Sequence, residues 1–150
     1  MSLKNFSFLF INRIIIFTIS NNIYQEKKDN LDYLISNRID PQILIPGTGS
    51  SSLNEAIDMT KHAAKNKVKA VLLLPPFYYK NVSNEGVLNY YRHVIESVGE
   101  NDLHYILYHI PQNSYVSIEF KLIEILLKLY PNNVVCLLYT SPSPRDLRES

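Results

Sequence analysis

Cysteine, tryptophan, glycine and surplus charge are all scarce in this sequence. Its 150 residues include one cysteine, no tryptophan, four glycines and a net charge of only +1. A single cysteine cannot build a disulfide framework, which fits a reducing compartment. Near-neutral charge offers no electrostatic footprint for a nucleic acid or an anionic membrane. We therefore expect a cytoplasmic protein that binds neither nucleic acid nor membrane.

The one cysteine opens a segment with an unusual origin. Residues 136–146 read Cys-Leu-Leu-Tyr-Thr-Ser-Pro-Ser-Pro-Arg-Asp, which resembles the translation of a transposon-end adapter used in DNA sequencing. Such scars are set aside before the fold is considered. We predict that residues 136–150 are an adapter-derived, non-native tail, and that the native sequence runs to Val135 at the start of a buried strand.

Residues 1–24 are kept apart from the domain that follows them. Their two apolar runs, residues 6–10 and 14–17, are separated by Asn12 and Arg13. Neither run approaches the about 20 apolar residues of a membrane-spanning helix, and residues 18–21 make a poor signal-peptide cleavage site. The segment is interpreted either as one or two buried strands or as a mistranslated upstream frame.

From residue 25 to residue 135, helical and strand patterns alternate. Short continuous apolar runs such as residues 70–74 are typical of a parallel sheet covered on both faces, and repeated strand–helix units predict such a sheet. The predicted order is helix 25–36, strand 42–45, helix from Ser52, strand 70–74, helix from Ser83 or Asn84 to Gly99, strand 105–108, helix from Ser117, and a strand opening at Val134. The pattern fits either a doubly wound sheet or about half of a (β/α)₈ barrel, which typically needs about 250 residues.

Polar and aromatic loops follow three of the predicted strands. They are residues 47–52, residues 75–80 and residues 108–111. Sites in parallel α/β folds form at the carboxyl ends of strands. The three loops are therefore expected to meet on one rim as a small-molecule site.

This rim carries no signature of a nucleotide or a metal. The loop at 47–52 lacks the third glycine of a dinucleotide fingerprint and the lysine of a P-loop. It is interpreted as a tight turn into a helix that Ser52 and Glu55 begin as a capping box. The four histidines show no ligand spacing, and His62 and His93 are predicted to lie on solvated helix faces. We expect no metal and no cofactor.

Several motifs at matching spacing resemble one enzyme family. Residues 45–56 read Ile-Pro-Gly-Thr-Gly-Ser-Ser-Ser-Leu-Asn-Glu-Ala, residues 72–80 read Leu-Leu-Leu-Pro-Pro-Phe-Tyr-Tyr-Lys, and residues 106–111 read Ile-Leu-Tyr-His-Ile-Pro. They are similar to the third, fourth and fifth strands, with their loops, of the dihydrodipicolinate synthase / N-acetylneuraminate lyase family. Residues 131–135 resemble the approach to its sixth strand, so the resemblance covers residues 25–135.

The resemblance implies a fold, a chemistry and an assembly. The fold would be an α/β partial (β/α)₈ TIM barrel covering roughly strands 3 to 5 and the start of strand 6. The chemistry would be that of a class I lyase or aldolase, in which a lysine amine forms a Schiff base with pyruvate or a related 2-oxo acid. The full-length protein would be a homodimer or homotetramer.

The resemblance also assigns residues. Tyr108 matches the tyrosine that relays protons at the end of strand five, and Tyr78 matches the relay tyrosine that a neighbouring subunit contributes. Thr48, in the loop after strand three, is predicted to bind substrate. Asn113 stands where the dihydrodipicolinate-forming branch has an arginine for its second substrate, which argues against that product.

Two departures from the family bear on activity. The Thr-Thr-Gly-Glu-type loop that binds the substrate carboxylate after strand two has no match upstream of Gln25, although residues 17–22 lie where it belongs. At strand six the family reads Val-Val-Gly-Ile-Lys, whereas residues 134–138 read Val-Val-Cys-Leu-Leu. Leu138 therefore stands where the Schiff-base lysine is expected.

Two hypotheses follow for this chain. The first is an inactive piece of a Schiff-base lyase or aldolase, expected to fold poorly because strand edges are left unpaired. The alternative is a non-catalytic half-barrel that assembles with another chain and binds 2-oxo acids without forming an imine.

Overall fold

The computed structural model of the protein describes residues 6–11, 14–19, 24–77, 81–99 and 102–139. Its elements follow the predicted alternation of strands and helices. In chain order they are β1 (Phe6–Ile11), β2 (Ile14–Ile19), α1 (Tyr24–Ser36), β3 (Leu44–Pro46), α2 (Leu53–Lys65), β4 (Ala70–Leu73), α3 (Asn84–Val98), β5 (His104–His109), α4 (Pro111–Ser114), α5 (Phe120–Leu129) and β6 (Val134–Tyr139), with a 3₁₀ turn at Pro41–Ile43 before β3. No helix within these ranges is both long and apolar enough to cross a membrane.

Strands β2 to β6 run parallel in the order of the sequence. β2 pairs with β3, and β4, β5 and β6 pair in turn. The two sheets meet where Gly47 bridges Leu72 and the Thr48 amide donates to the Leu72 carbonyl at 3.0 Å. The predicted parallel sheet is confirmed. An order without reversal is that of an arc of a barrel, because a doubly wound sheet reverses its strand order at a switch point.

β1 departs from this parallel order. It pairs with β2 in antiparallel register, from Phe6 opposite Ile19 to Ile11 opposite Ile14. Every strand of a (β/α)₈ barrel runs parallel to its neighbours. β1 is therefore an added strand beside the arc, and the two apolar runs near the N-terminus form a hairpin.

Successive strand residues point to opposite faces of the arc. The outer face packs against the helices and holds the main core. Its most buried strand residues, each at most 1% exposed, are Leu44, Val71, Leu73, Tyr105 and Leu107. The inner face holds a smaller apolar group, here called the inner cluster. Its members are Ile45, Ala70 and Leu72, with Ile106, Tyr108 and Leu138 packed against them.

The start of α2 forms only half of the predicted capping box. Ser52 caps the helix as expected, since its hydroxyl accepts the Glu55 amide at 3.4 Å. The Glu55 carboxylate, however, accepts the hydroxyl of Ser50 at 2.7 Å, and the Ser52 amide donates to that same Ser50 hydroxyl at 3.2 Å. Ser50 thus stands between the two groups that a complete box would join directly.

The predicted bounds hold for α3 but not for α5. Ser83 caps α3 and Gly99 ends it in the left-handed conformation, at a φ of 66°. The helix predicted from Ser117 begins at Phe120 instead. The delay coincides with a contact to the preceding strand, because Ile118 is buried and its backbone amide donates to the His109 side chain.

Gly49 lies against the backbone of Leu74, just after β4, and substituting it should weaken the join between the two sheets. A Cβ placed there would lie 2.6 Å from the backbone nitrogen of Leu74 and 2.8 Å from its Cβ. We expect Gly49→Ala to lower the free energy of unfolding by about 1–3 kcal/mol, the usual cost of overpacking. Urea unfolding followed by circular dichroism measures this change.

Gly86→Ala is the matched control for that substitution. Its Cβ would meet only side-chain atoms at 3.2–3.3 Å, near the start of α3, and alanine favours a helix over glycine by up to about 1 kcal/mol. Gly86→Ala should therefore be neutral or mildly stabilising. Equal losses at the two positions would contradict the role given to Gly49.

Two adjacent tyrosines on α3 make a second matched pair. The Tyr90 hydroxyl donates to the Ser50 carbonyl at 2.7 Å, whereas the buried Tyr91 hydroxyl has no hydrogen-bond partner within the described ranges. Tyr90→Phe should lower the free energy of unfolding by about 1–3 kcal/mol, because it leaves a buried carbonyl unpaired. Tyr91→Phe should leave stability unchanged or raise it. The same urea titration tests both, and the reverse ranking would contradict the assignment.

The buried hydroxyls of Tyr90 and Tyr91 predict that the free energy of unfolding falls at alkaline pH. Burial raises the pKa of Tyr90 to about 12 and moves the pKa of Tyr91 well above its ordinary value. An unfolded tyrosine ionises near pH 10, so the unfolded state loses protons first as the pH rises. We expect Tyr90 to contribute a fall of about 2–3 kcal/mol between about pH 10 and 12. The fall should be smaller in Tyr90→Phe, which pH-dependent urea titrations can measure.

Candidate active site

The carboxyl ends of β3, β4, β5 and β6 lie on one rim because these strands run parallel. Tyr108 is the penultimate residue of β5 and is half-buried against the inner cluster. Below it in the strand, Ile106 pairs with Leu72 of β4. The tyrosine therefore stands on the inner face at the end from which parallel α/β folds contact their ligands.

Leu138 is the neighbour of Tyr108 on β6. The strand register pairs the two residues directly, and both pack against the inner cluster. A bulge sets this register, because Val134 lies opposite Tyr105 while Ile106 lies opposite Cys136, which leaves Val135 as an extra residue. The position expected to hold the Schiff-base lysine is thus beside Tyr108, and its side chain is a leucine without an amine.

Thr48 lies two residues after the end of β3, with its side chain turned toward α2 on the outer face. It is 1% exposed, and its hydroxyl lies 2.9 Å from the Thr60 hydroxyl of α2. The Thr60 hydroxyl is in turn 2.6 Å from the Ala56 carbonyl. The Thr48 hydroxyl is therefore paired with α2 rather than brought to Tyr108. Its substrate-binding role stays a prediction, and this geometry favours a structural role.

Tyr90 anchors the loop that follows β3. Its hydroxyl donates to the Ser50 carbonyl at 2.7 Å and accepts the Ser50 amide at 3.4 Å. Burial raises the pKa of Tyr90 to about 12, although the bond to Ser50 opposes the rise. Tyr90 is therefore a neutral anchor near pH 7 and not an acid–base group.

Lys27 is a lysine with altered ionisation, but it lies outside the rim. Burial lowers the pKa of its amine, and the charge of Glu55 opposes that shift. It lines a cavity of about 10 Å³ with Gly47, Thr48 and residues of α1 and α2, which is barely room for one water molecule. This cavity cannot admit a 2-oxo acid, so Lys27 does not replace the amine that position 138 lacks.

Tyr78 and Asn113 are the other two predicted site residues, and the structure describes only Asn113. Tyr78 lies outside the described residues. Asn113 is exposed and lies in α4, directly after β5. Its backbone amide donates to the Ile110 carbonyl at 3.0 Å. The turn that holds Asn113 thus follows the strand end that carries Tyr108, and the predicted substrate-binding role of Asn113 stays a prediction.

Two histidines differ from their expected settings. His62 lies on α2 as predicted, but its Nε2 is 2.8 Å from a carboxylate oxygen of Asp32 rather than free in solvent. His109 is 9% exposed and its Nδ1 accepts the Ile118 amide at 3.1 Å. No group of three or more His, Cys, Asp or Glu in the described ranges could hold a metal ion.

Sequence reasoning missed three residues that shape the rim. They are Thr60, Tyr90 and His109. A polar side chain within an apolar helical stripe is the signal that could have marked Thr60 and Tyr90. Nothing local to His109 marks its long-range bond to Ile118.

Sequence comparison gives one family and several partial relatives. The Dihydrodipicolinate synthetase family matches residues 23–143. The 2-dehydro-3-deoxy-D-gluconate/2-dehydro-3-deoxy-phosphogluconate aldolase of Picrophilus torridus is 34% identical over 88 residues, which are 59% of this chain and 31% of that protein. The 4-hydroxy-tetrahydrodipicolinate synthase of Thermosipho melanesiensis is 32% identical over 97 residues, which are 65% of this chain and 32% of that protein. The chain spans about a third of the length of these relatives.

Structural comparison agrees with the sequence. The crystal structure of dihydrodipicolinate synthase from Agrobacterium tumefaciens matches with a TM-score of 0.74 at 27% identity, over 83% of this chain and 45% of that chain. The arc of parallel strands with outer helices therefore has the α/β fold of part of that enzyme. Because the family match extends over most of the sequence and includes the rim that carries Tyr108, the chain belongs to the dihydrodipicolinate synthetase family.

Proposed function

We propose that the chain is a piece of a Schiff-base lyase or aldolase acting on pyruvate or a related 2-oxo acid, and that it does not itself form the imine. The observation that carries this proposal is the register of β5 and β6, which sets Tyr108 beside position 138 on the inner face. In this proposal β3, β4 and β5 are barrel strands 3 to 5, and β6 begins strand 6. One relative's own name, an aldolase of 2-dehydro-3-deoxy acids, supports the substrate class.

The chemistry explains why position 138 matters. A lysine amine attacks the ketone carbon of a 2-oxo acid, and loss of water leaves an imine that draws electrons from the adjacent carbon. A tyrosine beside that amine can donate a proton to the oxygen that leaves as water. It can also pass a proton to or from the substrate when the carbon–carbon bond is made or broken. Tyr108 has the position for this relay. Leu138 offers no amine, so the first bond cannot form.

The proposal extends to assembly, substrate contacts and location. The full-length protein would be a cytoplasmic homodimer or homotetramer, in which Tyr78 reaches a neighbouring subunit's site. Asn113 would contact the part of the substrate beyond the 2-oxo acid, and no metal or cofactor would take part. Support comes from family membership.

Restoring the amine should restore the first chemical step. We expect Leu138→Lys to form an adduct of one reduced pyruvate per chain when treated with pyruvate and borohydride, and the unaltered chain to form none. The inner cluster around position 138 is apolar, and each unit by which burial lowers an amine's pKa raises its reactive fraction about tenfold. Mass spectrometry of the intact chain, with peptide mapping, locates the adduct.

The adjacent residue provides the matched control. Leu137 packs against the main core on the outer face, so Leu137→Lys places an amine away from Tyr108 and should trap no pyruvate. Adding Tyr108→Phe to Leu138→Lys should slow trapping without moving its site. An adduct on the unaltered chain would overturn the proposal. Pyruvate binding without trapping, by a cooperative oligomer of the unaltered chain, would instead support the half-barrel alternative.

A further inference from the structure

His109 is the last residue of β5 and faces away from Tyr108, its neighbour in the strand. Only 9% of its surface is exposed. Its Nδ1 accepts the backbone amide of Ile118, nine residues later, at 3.1 Å. This contact closes residues 110–117 into a loop, because one side chain joins the residue before the loop to the residue after it.

The closed loop is packed by its own residues. The Ser114 hydroxyl is 3.0 Å from the Ile110 carbonyl and 3.1 Å from the Val116 carbonyl, and it accepts the Val116 amide at 3.3 Å. Ser114, Val116 and Ile118 are at most 5% exposed. Short loops with close ends and internal packing hold one shape and often carry function. Residues 110–117 have this construction.

The loop holds a conformation that its sequence does not favour. Tyr115 has a φ of 55°, the left-handed region that disfavours side chains other than glycine, while 80% of its surface is exposed. Such a residue persists only where its surroundings fix it. The Tyr115 backbone amide donates to the Pro111 carbonyl at 2.9 Å as the cap of α4. The contacts of Ser114 and the bond from Ile118 to His109 hold the loop around it.

We propose that His109 is a positioning residue, which closes residues 110–117 by accepting the Ile118 amide and thereby fixes Asn113 in the turn that follows β5 at the rim. The inference rests on the proposed function, and it deepens that function by naming a substrate class. An asparagine amide both donates and accepts hydrogen bonds. A fixed Asn113 therefore favours 2-oxo acids whose carbon chain beyond the reacting carbon carries hydroxyl groups over pyruvate itself.

The chemistry of position 109 supplies a graded test. Asparagine keeps an acceptor at the δ position that can take the Ile118 amide, whereas leucine keeps similar bulk without any acceptor. His109→Leu should therefore release the loop, and His109→Asn should restore it. A role limited to filling space would give the opposite ranking, because leucine fills the buried site better.

Hydrogen exchange of the full chain tests the positioning role. We expect amide exchange of residues 112–118 to accelerate about five- to tenfold in His109→Leu, the effect of losing one hydrogen bond, and to recover in His109→Asn. Exchange in β4 and β6 should not change. Unaltered exchange of the loop in His109→Leu, or faster exchange without recovery in His109→Asn, would overturn the proposal.

Borohydride trapping in the Leu138→Lys chain tests the substrate class separately. The probes are pyruvate and 2-dehydro-3-deoxy-D-gluconate, which is a hydroxylated 2-oxo acid. The ratio of trapping rates should shift toward pyruvate in His109→Leu and return in His109→Asn. An unchanged ratio beside a released loop would overturn the specificity claim. No trapping of either acid would refute the proposed function and this claim with it, while hydrogen exchange would still decide whether His109 positions the loop.

Discussion

The join between β3 and β4 is the contact on which the rest of the structure depends. Two three-stranded sheets become one arc because the Thr48 amide reaches the Leu72 carbonyl. That approach requires the absence of a side chain at Gly49, which lies against the backbone of Leu74. The same loop then leads into α2, and Tyr90 of α3 holds it by a hydrogen bond to the Ser50 carbonyl. Inner cluster, rim and outer core are continuous across the arc only because this join holds.

The candidate site keeps the backbone arrangement that the proposed chemistry would use but lacks one of the side chains. Strand order, register and facing place Tyr108 beside position 138, which is the arrangement that the proposed Schiff-base chemistry would use. The leucine at that position leaves the frame of the site in place and removes its nucleophile. Tyr108 and Leu138 then pack as neighbours in an apolar cluster, so the same geometry that would activate a lysine serves here only as packing.

The sequence predicted what local pattern controls. Continuous apolar runs identified the parallel strands, Ser83 and Gly99 identified the ends of α3, and the strand ends identified the rim. It could not predict contacts that join distant residues. Ser50 enters the start of α2 because Tyr90 holds its backbone, α5 begins late because His109 takes the Ile118 amide, and Thr48 turns outward because Thr60 meets it. The antiparallel pairing of β1 with β2 could not be predicted either, because an apolar run does not specify which strand it pairs with or in which direction.

The bulge at Val135 has a consequence for how this region tolerates change in length. The extra residue exchanges the faces of β6, so Leu138 rather than Leu137 meets Tyr108. A residue gained or lost in the turn before Val134 would alter only the length of a connection. A residue gained or lost between Val135 and Leu138 would send the neighbouring side chain into the barrel. Along β6, an insertion or deletion therefore has the same effect as a substitution at position 138. The bulge at Val135 separates the part of the chain where a change in length leaves this position unaltered from the part where it does not.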